Sequence, residues 1–240
     1  MTLHRVAHRG YSAVAPENTM PALAAAVLGG ATHVEFDVRT TADGVPVVIH
    51  DRTVDRTTDG TGQVWELTVE QIRDLDAGSW FSPAYAGTRV PLLSEVLDLP
   101  DLPQLLLEIK PPATLDEVKT IIGMVAERGL LERTIVQSFD PEVVRLVREA
   151  APDVRRGLLR LRFEADTVPL AKELDVVCCN PTVADVLGDA DTVAELVGAG
   201  IHVMPWTAND ESQWPALIEA GVAGLITDRA GELTGWSSRA

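Results

Sequence analysis

The sequence predicts an α/β fold, a single TIM (β/α)8 barrel with a small cap inserted after the second strand. Short strand-like runs alternate with helical ones along 240 residues, close to the usual length of one such barrel. Strand-like runs end near Arg9, Val38, Lys110, Phe139, Arg160, Asn180, Thr207 and Asp228, which makes eight. Ionisable residues gather at several of those ends, and in this fold the C-terminal ends of the strands form the catalytic face.

Leu3 to Ala7 is a short apolar run that delivers His8-Arg9-Gly10 at its end. Asn18 or Thr19 is placed to cap a helix with Pro21 in its first turn and Gly29-Gly30 at its close. His33 to Val38 is the second strand, followed by a turn at Asp43-Gly44. Val45 to Ile49 is strand-like, but the link to it is too short for a parallel crossover, so it folds back as a hairpin arm outside the count of eight and brings His50 level with Asp37. From Asp51 to Pro103 the chain is irregular, with helical signals at Thr68 to Leu75 and Ser94 to Leu99. Beyond it, strands are expected at Thr134 to Phe139, Arg156 to Leu161, Val176 to Cys179, His202 to Trp206 and Gly224 to Thr227. Helices are expected at Leu115 to Arg128, Glu142 to Ala150, Ala165 to Glu173, Ala190 to Ala199 and Glu211 to Ala220, and the last ten residues form a final helix and a frayed tail. One domain over residues 1–240, with an insertion at about 51–103, is the expected organisation.

With 46% hydrophobic residues the chain can bury a large core, and its net charge of -16 repels nucleic acid and anionic membrane surfaces. A phosphate-bearing substrate would be repelled as well, so a cation and a few fixed positive groups must reverse the potential locally. Cys178 and Cys179 are adjacent and point to opposite faces of a strand, which suggests neither a disulfide framework nor a zinc site but buried thiols in a reducing compartment. No apolar leader or membrane-spanning run is apparent, and a cytoplasmic protein without stable membrane insertion is expected.

Glu35 and Asp37 alternate along one strand and so share a face, with Phe36 turned to an apolar layer, and Glu108 and Lys110 repeat the device at the end of LLLEIK. Three carboxylates without paired thiols or a histidine cluster suit one hard divalent cation, Mg²⁺ or Ca²⁺. The plainer alternative is that Glu35, Asp37 and Glu108 are only salt-bridged to Arg9, Arg39 and Lys110. His4, His33 and His202 lie within strands or before them and read as structural.

In this order, AHRG, PENT, ExD, the His50-Asp51 pair, RTTDGTG and ExK resemble the glycerophosphodiester phosphodiesterase family. The likeness runs firmly from Val6 to Lys110 and more weakly through QSF, PWTAND and GLITD. It implies that His8 and His50 are the general acid and base and that a metal-assisted P–O cleavage releases glycerol 3-phosphate and an alcohol. Arg9 and Lys110 would bind phosphate oxygens, or else only neutralise the carboxylates; Glu17 and Asn18 of PENT would orient the site. Phe139, Trp206, Trp80 and Phe81 are candidates to line the alcohol side, and a small-molecule glycerophosphodiester is the expected partner. Where the family commonly has a proline two residues after the last aspartate, this chain has Ala230. Two other readings stay open: a lysophospholipase D-like or cyclising enzyme, with Trp80, Phe81 and Tyr85 as its only acyl-binding candidates, and a barrel that binds phosphodiesters without cleaving them.

Overall fold

The computed structural model describes residues 3–239. Its strands are β1 (His4–Ala7), β2 (His33–Thr40), β3 (Pro46–Val48), β4 (Gln104–Ile109), β5 (Thr134–Ser138), β6 (Arg155–Leu159), β7 (Cys178–Asn180), β8 (His202–Val203) and β9 (Gly224–Thr227). The helices are α1 (Met20–Leu28), α2 (Val69–Arg73), α3 (Leu93–Leu97), α4 (Leu115–Glu127), α5 (Pro141–Ala150), α6 (Thr167–Glu173), α7 (Val183–Gly188), α8 (Ala190–Gly198), α9 (Trp214–Glu219) and α10 (Ala230–Ser237).

All strands but β3 form one parallel series in the order β8-β7-β6-β5-β4-β2-β1-β9. The seam between its ends is bridged by backbone hydrogen bonds from Ala223 to Val203 (2.8 Å), Ile226 to Pro205 (3.0 Å) and Ala208 to Ile226 (2.8 Å), which gives a nearly closed eight-stranded TIM barrel. β3 stands outside the series and pairs antiparallel with β2, Val38 opposite Val48, as the short link requires.

Strand period two sorts the side chains into an outer layer and an inner one. Phe36 is fully buried in the outer cluster with Val34, Val38 and Leu107, against α1 and α4; burying such a side chain stabilises by about 1.5–3 kcal/mol. Val6, Leu106, Ile135, Cys178, Met204 and Ile226 form a separate apolar cluster inside the barrel. The two cysteines divide as expected, Cys178 in that interior cluster and Cys179 in the cluster beneath α6, α8 and α9, with burial pushing both thiols up to about 12.

The apolar plug separates two polar ends. At the N-terminal end the rings of His4 and His33 meet edge to face at 4.6 Å, His202 lies 5.8 Å from His4, and Arg155 bonds Gln104 at 3.0 Å. Burial, followed by the charges of His4, Arg155 and His202, pushes His33 down to about 3. It is therefore neutral when folded yet takes up a proton near 6.5 when unfolded, so this contribution to stability is complete above pH 6.5 and is lost as pH falls toward about 3. The expected outcome is a shallower loss of Tm between about pH 7 and pH 4 in His33→Gln than in the parent protein, measured by calorimetry.

Several local expectations are corrected. Thr19 occupies the N-cap position of α1, but its hydroxyl donates to the Pro16 carbonyl (2.6 Å), and Asn18 is engaged at Asp37. α7 was not anticipated; it is a short helix capped by Thr182, which accepts from the Asp185 amide, and it runs almost directly into α8. The β8 ladder stops at Val203, two residues before Pro205, which has no N–H to donate. The stretch expected to be one helix from Glu211 divides into a 3-10 turn at Glu211–Gln213 and α9, where Pro215 sits in the first turn. Ala230, at the position of the family's proline, opens α10, the helical position where proline is itself favoured. The tail expected after α10 reaches Ala240, outside the described residues.

Candidate active site

At the C-terminal end of the barrel, β2 and β4 lie side by side with Asp37 paired to Glu108 in register, and Glu35 is two residues back on β2. The three carboxylates are buried, and an oxygen from each lies within 4.8 Å of the others. Lys110 reaches both Asp37 (2.9 Å) and Glu108 (2.6 Å), and Arg9 Nε lies 3.5 Å from Asp37. The cluster and the ion pairs therefore coexist. Arg39 takes no part in them; it donates to the carbonyls of His50 (2.9 Å) and Pro111 (3.2 Å) and fastens the β3 turn to the loop after β4.

Three like charges in a low-dielectric site are costly, and the pKa directions record it. Burial first, then Asp37 and Glu108, pushes Glu35 well above the carboxylate range. Glu108 is raised by burial and by Asp37. Asp37 runs the other way: burial raises it, but Lys110 and Arg9 outweigh burial and keep it ionised. The same carboxylates hold Lys110 and Arg9 charged in spite of burial. A hard oxygen set whose repulsion Lys110 and Arg9 relieve only in part suits a divalent cation in the cluster.

The Arg9 turn is built to fit beneath the site. Gly10 adopts φ +80°, and a Cβ there would lie 2.6 Å from the Ala22 backbone. Arg9 and Asn18 also take left-handed backbone angles, and the Asn18 amide bonds the Arg9 carbonyl at 2.9 Å. Asn18 then orients Asp37 twice, donating to its carboxylate (2.7 Å) and accepting from its amide (3.2 Å). Glu17 accepts from Arg9 Nη1 at 2.8 Å. Both PENT residues thus hold other groups in place.

Each of the two histidines is backed by an aspartate, to which sequence reasoning had given no role. His8 Nδ1 meets Asp228 at 2.6 Å and His50 Nδ1 meets Asp51 at 2.6 Å. Burial raises Asp228, but hydrogen bonds from His8, Asn209 and Ser12 bring it down to about 2. Asp51 is lowered by Arg56 first, overcoming burial, with His50 adding to it. Ionised carboxylates only accept, so both rings donate from Nδ1 and turn Nε2 toward the cavity. Asp51 was legible as the second half of the His50-Asp51 pair; Asp228 and Asn209 were visible only as motif letters.

The cavity, about 290 Å³, is lined on one side by His8, Arg9, Glu35, His50, Glu108 and Lys110 and on the other by Phe139, Leu159, Leu161 and Trp206. Phe139 and Trp206, offered as pocket-lining candidates, both line the cavity and pack edge to face at 5.3 Å. Trp80 and Phe81 do not line it: they pack edge to face on each other and Phe81 on Tyr85, whose hydroxyl donates to the Val14 carbonyl, while the Trp80 indole donates to the Ala77 carbonyl. The cap cluster therefore consumes its aromatics internally, and Leu159 and Leu161 take the place expected for Trp80 and Phe81.

Two aspartate-backed histidines around a buried carboxylate cluster, at the C-terminal mouth of a (β/α)8 barrel, mark the class: a TIM-barrel enzyme with its site where that fold places it. Comparison with known proteins narrows it. The model of the Glycerophosphoryl diester phosphodiesterase family matches residues 8–232, and the chain belongs to that family and is a phosphodiesterase. It is 37% identical over 227 residues to a glycerophosphodiester phosphodiesterase of Caldanaerobacter subterraneus subsp. tengcongensis, covering 93% of each chain. Among solved structures it resembles a glycerophosphodiester phosphodiesterase from Agrobacterium tumefaciens (TM-score 0.84, 30% identity, 96% and 98% of the two chains). It also resembles an Oleispira antarctica phosphodiesterase in complex with the product sn-glycerol-3-phosphate (TM-score 0.87, 27% identity, 98% and 96%). Among the described residues no helix is long and apolar enough to cross a membrane.

Proposed function

We propose that the chain hydrolyses glycerophosphodiesters to glycerol 3-phosphate and an alcohol by histidine acid–base catalysis, with one divalent cation, Mg²⁺ or Ca²⁺, held by Glu35, Asp37 and Glu108. The observation that carries this reading is the pair of His–Asp couples, His8–Asp228 and His50–Asp51, set on the same cavity as the buried carboxylate trio. When bound, the cation supplies Lewis-acid polarisation of a phosphate oxygen. Arg9 and Lys110 bind phosphate oxygens and stabilise the charge that builds on them. Phe139 and Trp206 face the organic part of the substrate, and Glu17 and Asn18 keep Arg9 and Asp37 oriented. The buried, unpaired thiols fit a reducing compartment and a cytoplasmic enzyme.

The charge environment of His50 supports assigning it the role of base. Burial lowers His50, and Lys110 and Arg9 lower it further against the opposing pull of Asp37. Asp51, its carboxylate, is shared with the Arg56 guanidinium. His50 is thus biased to the neutral form and takes the proton of the nucleophile, which leaves His8 to protonate the departing alkoxide. Because the base must be neutral, kcat/KM falls as pH drops through the His50 pKa, and that limb lies below the usual 6.5. A pH–rate profile checks this; an acidic limb above 6.5 contradicts it.

The apolar wall of Phe139, Leu159, Leu161 and Trp206 gives a lysolipid substrate its one structural argument, since Leu161 is 69% exposed at the lip. A panel of glycerophosphocholine, glycerophosphoethanolamine and lysolipids, with Mg²⁺, Ca²⁺ or chelator, separates the readings. Preferred, cation-dependent turnover of the water-soluble diesters is expected. Turnover confined to lysolipids favours the lysophospholipase D-like reading, and absence of turnover with any cation leaves a binding barrel.

A further inference from the structure

The RTTDGTG segment contributes nothing to the lining of the cavity, yet its first residue stands behind two groups that do. The Arg56 guanidinium lies between two carboxylates and forks onto each. Nε and Nη2 donate to Asp51 Oδ2 (2.6 Å) and Oδ1 (3.0 Å), while Nη1 and Nη2 donate to Glu17 Oε2 (2.9 Å) and Oε1 (2.8 Å). Each carboxylate shares an oxygen with a group on the cavity: Asp51 Oδ1 also accepts from His50 Nδ1 (2.6 Å), and Glu17 Oε1 also accepts from Arg9 Nη1 (2.8 Å). One unbroken chain of hydrogen bonds therefore runs His50, Asp51, Arg56, Glu17, Arg9, and it joins the loop after β1 to the loop after β3.

We infer that Arg56 is a positioning residue, which sets His50 and the phosphate-binding Arg9 relative to each other through Asp51 and Glu17. The inference rests on the reading of His50 as base and Arg9 as phosphate ligand. Stability is a poor account of the arrangement, because the Arg56 side chain is 45% exposed and ion pairs so exposed to water contribute little. Geometry is the better account. A planar guanidinium can hold two carboxylates at a fixed separation and tilt, whereas an ammonium is a single point charge without that fork. The arrangement also neutralises Asp51 and Glu17, which would otherwise add two negative charges beside the path of an anionic substrate.

The two arms make separable contributions. Asp51→Asn disturbs His50 and lowers kcat, while Glu17→Gln loosens Arg9 and raises KM. Arg56→Ala combines both, with kcat falling about 10–100-fold, the range for partners that orient a reacting group from behind. Steady-state kinetics on glycerophosphocholine with saturating Mg²⁺ are measured for these variants, for Arg56→Lys and for His50→Ala, with Tm recorded for each. Because Arg56 is partly exposed, millimolar guanidinium should restore kcat to Arg56→Ala, equal NaCl should not, and Arg56→Lys should recover only part. Kinetic parameters near wild type in Arg56→Ala overturn the inference. So does a loss accompanied by a large fall in Tm that neither guanidinium nor lysine repairs, since that is a structural role. If His50→Ala itself retains turnover, the underlying acid–base reading fails; if His50→Ala is inactive while Arg56→Ala is normal, only the inference about Arg56 fails.

Discussion

Replacing either His8 or His50 with alanine is expected to cost on the order of a hundredfold or more in kcat, the range for losing general acid–base catalysis. Each ring is held by one aspartate at 2.6 Å, so its free nitrogen has a fixed direction, and among the described residues no other imidazole lines the cavity to substitute for it. The double variant should lose less than the product of the single losses, because groups that act on one proton-transfer sequence are not additive. Leaving groups separate the roles. A p-nitrophenyl ester departs without protonation, so it should restore turnover to His8→Ala, which lacks the acid, and leave His50→Ala slow. The reverse pattern would exchange the assignments. Near wild-type kcat in both variants with cation bound would reduce the histidines to structural residues.

The second large effect is that of the cation. Chelation should abolish turnover, and Glu35→Gln should lower cation affinity by more than the 10–100-fold typical of removing a partner behind a ligand. Burial, Asp37 and Glu108 push Glu35 well above the carboxylate range, which favours its protonated form in the free site. A cation must displace that proton, and affinity should therefore rise with pH. Calorimetry in buffers of different ionisation enthalpy counts the proton released. Binding should also raise Tm, since a ligand at about 100 Kd adds about 2.7 kcal/mol to the folded state. Full activity in excess chelator, or a Tm indifferent to Mg²⁺ and Ca²⁺, would remove the cation from the mechanism.

Which residues form the site was largely legible in the chain, because β-strands translate sequence into direction by a rule of two. Glu35 and Asp37 had to share a face with Phe36 opposed, and the structure puts the carboxylates in the polar mouth and the ring in the apolar layer. The hairpin was legible for a different reason, chain length: the link before Pro46 is too short to cross over, and β3 does run antiparallel. Phe139 and Trp206 were found because each was expected to end a strand; Phe139 directly follows β5, whereas β8 stops three residues before Trp206. Trp80 and Phe81 were misplaced because the cap is irregular, and no periodicity there tells an aromatic that lines a cavity from one that stacks on its neighbours.

By itself the sequence determined the barrel, the antiparallel arm and the shared faces of Glu35 with Asp37 and of Glu108 with Lys110, because local periodicity and loop length are properties of short stretches; His8, Arg9 and His50 were singled out by the family resemblance. Only the tertiary structure decided what stands behind them. His8 meets Asp228 across 220 positions of sequence, and Arg56 meets Glu17 across 39. Such pairings follow from closing the barrel, which brings β9 beside β1, and from folding the segment after β3 back toward the loop after β1. No spacing rule within a strand or helix reaches that far, so the parts of Asp228 and Arg56 behind the two histidines emerge only once the chain is folded, whereas Asp51 stands beside His50 in the sequence.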